Sequence, residues 1–485
     1  MSMGRREGQQ SDLWISHKDV AGGPGHRFYD KLNELLAERR FDREVEALCA
    51  KYYAGTDEAG RPSIPPGVYF RMLLIGYFEG IESERGIAWR CADSLSLKHF
   101  LGVAPTAETP DHSSLSRIRK RLPKEVYVEV FRSILSVVES RGLLRGKVVG
   151  VDSTYLRADA SMRAIVRRDT GEKYQKYLER LAKAEGISNP TAEDCRRMDK
   201  KRKKKTSNRE WASSTDSDAR ITRLKDGRTR LAYKPEHVVD LDTGAIIAAE
   251  MHAADVGDAS SLPASLENAR ANVLAAAERA GQEIDDDDEV PPAAGGTTGE
   301  EESKKVEVIA DKGYHKAELL RQLEGTGFRP YIPERRQKTR RRWRDKGGRE
   351  TALAFYTNRA RVKRSKSKAL HRRRGELVER TFAHICETGG HRRTRLRGLD
   401  NMHKRYLLQA AAANLGLVMR KAFGYGTPRE MAARTWAVLV LIGAMVFWAA
   451  RYIEVIGAKC RKPVSAPTSP MLNWNRSLPI CSTGC

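Results

Sequence analysis

The sequence predicts an α/β domain with a mixed sheet, preceded by an all-α domain. From residue 146 to 425, short apolar runs alternate with amphipathic segments in the order strand, hairpin, helix, strand, helix, strand, helix. Before residue 145 the apolar residues recur only at helical spacing. The chain of 485 residues is also too long for one compact core. We therefore expect a flexible start (1–25), a helical domain (26–144), an α/β domain (145–425), and an apolar helix with a disordered tail (426–485).

The helical domain is expected to bind DNA. Pro65 and Pro66 mark one helix entrance. Asp111 and Ser113 are N-cap candidates for a short helix that carries several basic side chains, among them Arg117, Arg119 and Lys120. Such a helix suits a major groove, and a helix over 85–94 would complete a helix-turn-helix-like pair. A plain solvated face explains the same charges equally well.

The α/β domain places acidic residues at the ends of predicted elements. Asp152 ends the apolar run 148–151, and Asp311 ends the strand in VEVIADKGYHK. The turn Asp242-Thr243-Gly244 between apolar runs predicts a β-hairpin, and 258–280 predicts a helix. Glu379 lies on a predicted helix over 375–387. The polar, basic stretch 163–215 is predicted to be a helical excursion or loop that meets phosphates, with a solvated linker as the alternative.

Charge and cysteine usage narrow the class of protein. Lys and Arg number 88 against 63 Asp and Glu, a net charge of +25, which favours a polyanionic partner such as nucleic acid. The stretch 335–374 is especially basic and includes Arg372, Arg373 and Arg374. The seven cysteines form no C-x-x-C pair, so neither a zinc site nor a disulfide framework is expected. We expect a cytoplasmic protein with reduced cysteines.

One apolar segment stands apart from this soluble, basic pattern. The run 435–450 has 16 residues without a charge, whereas a spanning helix needs roughly 20. We predict a buried or partner-covered helix, with a membrane tether as the alternative.

Asp152, Asp311 and Glu379 are the candidate catalytic residues. Each alone is more often a turn, a helix cap or a surface ion pair. Carboxylates that are brought together repel one another unless a cation is present, and Mg²⁺ accepts carboxylate and phosphate oxygens. Two such ions can activate an attacking oxygen and stabilise a leaving one in phosphodiester transfer.

Three sequence blocks resemble the signature blocks of DDE-type transposases from bacterial insertion sequences. They are VDSTYLRA, IADKGYHKAELL and RGELVERTFAHICETGGHRRTRLRGL, and PPGVYFRMLLIGYFEGIESER resembles the accompanying DNA-binding domain. The resemblance covers roughly residues 30–425. It implies a ribonuclease-H-like catalytic domain in which Asp152, Asp311 and Glu379 hold two Mg²⁺ or Mn²⁺ ions. It also implies binding of element ends and target DNA, cleavage, strand transfer by a freed 3′-hydroxyl, and a homodimer or higher synaptic complex.

The sequence departs from that pattern near the third block. The Arg expected ahead of the Glu falls at Gly375, beside Arg372, Arg373 and Arg374, and the Lys expected after it falls at Cys386. The three arginines are therefore the candidates to grip the terminal phosphate of the DNA.

Glu376 competes with Glu379 for the third carboxylate. At about 100° per residue, Val378, Phe382 and Ile385 form a stripe that should pack on the sheet. Glu379 lies at the border of that stripe, whereas Glu376 faces solvent and should pair with Arg380.

Two other functions remain open from the sequence. A structure-specific endonuclease of the same fold would share the metal site but would not join strands. A catalytically decayed protein would only occupy DNA ends, although all three carboxylates are present.

Overall fold

The computed structural model describes residues 26–53, 63–202, 206–224, 226–281, 305–335, 343 and 348–460. The predicted flexible start, the basic runs 203–205 and 336–342, the acidic loop 282–304 and the tail beyond 460 lie outside the described residues. The described residues up to Pro428 belong to one compact unit, and a second unit begins at Arg429.

Among the described residues, seven α-helices precede the sheet, which confirms the helical pattern expected before residue 145. They are α1 (Arg27–Ala37), α2 (Phe41–Cys49), α3 (Pro66–Phe78), α4 (Glu84–Ala92), α5 (Leu95–Phe100), α6 (His112–Arg121) and α7 (Lys124–Ser140), with a 3₁₀ turn at Ala50–Tyr52. Pro66 is the first residue of α3, and Asp111 caps α6 by accepting a hydrogen bond from Ser114 N. Both predicted helix starts are therefore confirmed.

A mixed sheet forms the centre of the α/β part. Its strands in the described chain are β1 (Val148–Ser153), β2 (Leu156–Arg157), β5 (Arg220–Arg223), β6 (Thr229–Asp240), β7 (Ile246–Ala253), β8 (Val306–Ile309) and β9 (Phe328–Tyr331). Strand β6 pairs antiparallel with β7 on one side and with β1 on the other. Strands β1, β8 and β9 are parallel neighbours, so their carboxyl ends meet at one edge of the sheet.

Helices cover the sheet and connect it to the N-terminal helices. They are α10 (Asp258–Gly281), α11 (Ala317–Gly325), α12 (Gly348–Val362), α13 (Ser365–Ala383) and α14 (Leu399–Phe423), with a 3₁₀ turn at Lys312–Tyr314 and a π-helical turn at His384–Thr388. Helix α14 packs against α3 and α7, and α10 also packs on α7. The predicted division at residue 144 therefore falls inside one compact unit.

The polar stretch 163–215 is a small folded insertion rather than a linker. It contains a 3₁₀ turn at Met162–Ala164, β3 (Ile165–Arg167), α8 (Tyr174–Ala184), α9 (Ala192–Lys201) and β4 (Trp211–Ser213). Its own core consists of Leu178, Ala182, Cys195 and Met198. Strand β3 pairs with β4, which closes the insertion.

The second unit contains α15 (Pro428–Cys460). Between residues 436 and 453 the large apolar side chains of this helix are exposed, with Trp436 at 70% and Trp448 at 72%, so the expected burial of 435–450 is wrong. Cover by a partner stays a prediction. By length and composition, one apolar stretch within Leu399–Ile453 is sufficient to cross a membrane.

Candidate active site

Asp152 and Asp311 are brought to the same edge of the sheet. Gly150 of β1 lies opposite Ile309 of the parallel strand β8. Two residues further along each chain come the two aspartates. Their proximity has an electrostatic effect, because the Asp311 carboxylate contributes to raising the pKa of Asp152.

Asp152 is a partly buried carboxylate held by two donors. Its Oδ1 accepts a hydrogen bond from Ser153 N at 2.8 Å, and its Oδ2 accepts one from Arg374 Nη1 at 2.7 Å. Burial raises the pKa of Asp152 most, the Arg374 guanidinium lowers it, and the net pKa lies above its usual value. The Arg374 guanidinium thus offsets part of the cost of burying the ionised carboxylate.

Asp311 caps the 3₁₀ turn that follows β8. Its Oδ1 accepts a hydrogen bond from Gly313 N at 2.6 Å. A methyl group at Gly313 would lie 2.7 Å from Asp311 Oδ1 and 2.6 Å from Asp258 Oδ2, which is too close for either contact. Glycine at this position therefore allows two carboxylates to approach the same point.

Three charged residues next to this edge were not predicted from the sequence. Lys234 and Glu236 are buried side chains of β6, and Asp258 begins α10. A signal was available, since charged residues alternate within the otherwise apolar strand LAYKPEHVVD. Buried charges of this kind are paired or hydrogen-bonded, but their partners can be identified only once the fold is known.

Glu379 lies on α13 as predicted, but its side chain is exposed. The predicted sheet-facing stripe is confirmed at two residues of α13: Val378 is fully buried beside Gly150 of β1, and Phe382 stacks on His237 of β6 with ring centroids 4.0 Å apart. Ile385 is also fully buried but lies in the π-helical turn that follows α13. Among the described residues, no group of three or more His, Cys, Asp or Glu side chains is arranged to hold a metal ion. The structure thus places Asp152 beside Asp311 and leaves Glu379 outside.

The predicted ion pair of Glu376 is confirmed. Arg380 Nη2 contacts Glu376 Oε1 at 2.8 Å, and both side chains are more than half exposed. This arrangement is the one expected for an outward-facing position on the helix.

The three consecutive arginines of α13 have different surroundings. Arg372 is exposed. Arg373 Nη2 contacts Asp242 Oδ1 at 2.7 Å, whereas Arg374 is mostly buried against Asp152. The prediction that all three arginines contact DNA is corrected for Arg374, because its guanidinium is paired with the Asp152 carboxylate in this structure.

The predicted basic helix is present as α6, and a groove contact by its exposed residues stays a prediction. Arg117 and Lys120 are exposed, but Arg119 is buried, forms an ion pair with Glu84 of α4 and bonds Ser116. The prediction of a groove contact for Arg119 is therefore wrong. Helix α5 also lies between α4 and α6 along the chain, so the two do not form a tight helix-turn-helix pair, although they pack together.

Comparison with known families finds two matches. Residues 18–121 match a family described as Transposase domain (DUF772), and residues 207–415 match the family Transposase DDE domain. Asp311 and Glu379 lie within the second match, whereas Asp152 precedes it. No curated protein and no solved structure matches.

Proposed function

This chain belongs to the DDE-type transposases of insertion sequences, and we propose that it cuts DNA at the element ends and joins them to target DNA. The observation that carries this proposal is the placement of Asp152 and Asp311 at the ends of parallel neighbouring strands. The strand order and the antiparallel strand β6 support a ribonuclease-H-like fold for the α/β part. The proposed catalytic carboxylates are Asp152, Asp311 and Glu379.

The strand-end residues fit a hard divalent cation. Asp152 and Asp311 offer oxygen donors, which are the ligands that Mg²⁺ and Mn²⁺ prefer. Burial raises the pKa of Asp152 more than the Arg374 guanidinium lowers it, so a cation at this edge would further stabilise the ionised carboxylate. When bound, two such ions supply an activated water or 3′-hydroxyl and offset the charge on the leaving oxygen.

Helix α13 carries both Glu379 and the arginine that pairs with Asp152. Arg374 occupies the Asp152 oxygen that a cation would also use, at 2.7 Å. Glu379 lies five residues further along the same helix, and its side chain is exposed. We propose that the Arg374–Asp152 pair holds α13 in its present position, and that this pair separates when Glu379 joins the two aspartates.

Basic residues of the helical part and of the stretch 335–374 would supply the DNA contacts. Arg117 and Lys120 on α6 are proposed for the element ends, and Arg372 with the basic stretch 335–374 for sequence-independent affinity. Each phosphate contact contributes about −0.9 to the slope of log K against log salt. Since two ends must be processed together, a homodimer or higher complex in the cytoplasm is the proposed active form.

A strand-joining assay tests the proposal against the endonuclease alternative. DNA flanking the coding region is first inspected for inverted repeats, and a short duplex with one repeat and a free 3′-hydroxyl is then incubated with target plasmid, protein and Mg²⁺. Joined products are expected. Cutting of the duplex without joining, under conditions where both DNAs are bound, would favour the endonuclease.

A scrambled repeat with the same composition is the matched control for end recognition. It should bind through charge alone and give few joined products. Equal joining of the scrambled and native repeats would contradict the proposed role of the helical part in recognising ends.

A further inference from the structure

Strand β6 carries two buried charges directly behind the strand-end carboxylates. The side chains of Lys234 and Glu236 are 2% and 0% exposed. They are two residues apart and therefore point to the same face of the sheet. On that face they meet the start of α10 and the turn that follows Asp311.

Lys234 fixes Asp258 at the start of α10. Its Nζ contacts Asp258 Oδ1 at 2.6 Å and donates a hydrogen bond to Val256 O at 2.9 Å. The same Asp258 oxygen accepts a hydrogen bond from Ser153 Oγ at 3.1 Å. Because Ser153 immediately follows Asp152, the Lys234–Asp258 pair is tied to the end of β1.

The other Asp258 oxygen reaches the Asp311 turn. Asp258 Oδ2 and Asp311 Oδ1 both approach the point where a Gly313 side chain would begin. Glu236 links the same turn to α10, because its Oε2 accepts hydrogen bonds from Tyr314 Oη at 2.7 Å and from Ser261 Oγ of α10 at 2.8 Å. Asp258 thus bonds the residue that follows Asp152 and lies next to the turn that follows Asp311.

We propose that Asp258, held in place by Lys234, is a positioning residue that sets the spacing and charge of Asp152 and Asp311. It acts through Ser153 on one strand end and through the Gly313 turn on the other. Lys234 supplies a buried positive charge that lets the carboxylates stay close together before a divalent ion arrives. The inference rests on the proposed metal-dependent function. Outer-shell partners of this kind typically contribute 10- to 100-fold to metal affinity.

The test measures Mn²⁺ binding by the full-length protein without DNA, from the loss of the free-ion signal in electron paramagnetic resonance. Asp258→Asn keeps the side-chain shape but removes the charge that Lys234 and Ser153 contact. We expect Mn²⁺ binding to weaken about tenfold or more. The thermal unfolding midpoint reports separately whether the variant is folded.

Asp400→Asn is the matched control. Asp400 also contacts a buried lysine, Lys404, at an N–O distance of 2.6 Å, but within α14. A general effect of leaving a buried lysine without its carboxylate would appear in both variants. Mn²⁺ binding by Asp400→Asn should equal that of the wild type.

A double variant, Lys234→Met with Asp258→Asn, keeps the proposal testable if the single variant unfolds. It removes both charges of the pair, so that no buried lysine is left without its carboxylate, and it should show the same loss of Mn²⁺ affinity. The inference is overturned, and the proposed function stands, if three results occur together: wild type binds Mn²⁺, Asp152→Asn does not, and both Asp258 variants bind like wild type. If Asp152→Asn binds as tightly as wild type, the proposed metal site itself fails.

Discussion

His237 makes the attachment of α13 to the sheet sensitive to pH. This residue is fully buried on β6 and lies opposite Asp152 in the β1–β6 pairing. Its Nδ1 contacts Thr381 Oγ1 at 2.8 Å, and its Nε2 contacts Tyr406 Oη at 2.8 Å. The Thr381 hydroxyl donates to Val378 O, so Nδ1 carries the proton and Nε2 accepts from Tyr406. The neutral ring therefore satisfies both contacts.

Acidification should destabilise the protein through this ring. Burial lowers the pKa of His237 from 6.5 to about 3. At pH 4.5 the unfolded ring is protonated while the folded ring stays neutral, so stability that is present above pH 6.5 is lost as the pH falls towards 3. At pH 4.5 the solution is two units below the pKa of this histidine in the unfolded chain. At 1.36 kcal/mol per unit, the free energy of unfolding falls by about 2.7 kcal/mol.

The assay is guanidinium-induced unfolding of wild type and His237→Gln at pH 7 and pH 4.5. His391 is also buried with a pKa lowered to about 3, so the wild type alone does not isolate one ring. The difference between wild type and His237→Gln should shrink by about 2.7 kcal/mol on acidification. His99→Gln, at an exposed position, controls for loss of an imidazole. A difference between wild type and His237→Gln that stays constant with pH would refute the reasoning.

Three further predictions follow from the site and its surroundings. Gly313→Ala should reduce cleavage at least tenfold and cost about 1–3 kcal/mol, because the methyl group displaces two carboxylates; unchanged cleavage would contradict the placement of this turn. Arg117→Ala should weaken DNA binding and reduce the slope of log K against log salt by about 0.9, as measured by fluorescence anisotropy. Arg119→Ala should instead lower the free energy of unfolding by about 3–5 kcal/mol, as measured by thermal unfolding. The reverse pattern would refute the assignment of Arg117 to DNA and Arg119 to the fold. Glu379→Gln should abolish cleavage while Glu376→Gln keeps most of it, and the opposite result would mean that the third carboxylate is misassigned.

Turns and strand ends, which depend on residues adjacent in the chain, could be predicted from the sequence. The turn Asp242-Thr243-Gly244 joins β6 and β7, since glycine supplies the positive φ of 87° at position 244. Asp152 and Asp311 were each expected at the end of an apolar run, and the parallel pairing of β1 with β8 brings those two ends together.

Features that depend on distant segments could not be read from the sequence. Arg119 was expected in a groove, yet Glu84 from α4 buries it in an ion pair. The position of Arg374 against Asp152 depends on how α13 crosses β1, where Gly150 allows Arg374 and Val378 to approach closely. Asp258 gave no sequence signal beyond an acidic helix start, because its role depends on contacts with β6 and the Asp311 turn.

The central claim is that Asp152 and Asp311 perform the chemistry, and cleavage by carboxamide variants tests it most directly. Asp152→Asn and Asp311→Asn are compared with Asp242→Asn, whose carboxylate also accepts an α13 arginine at 2.7 Å. The account predicts that the first two variants fold and bind end DNA but do not cleave it in Mg²⁺, whereas Asp242→Asn cleaves like wild type. Cleavage at the wild-type rate by folded Asp152→Asn or Asp311→Asn would contradict the account.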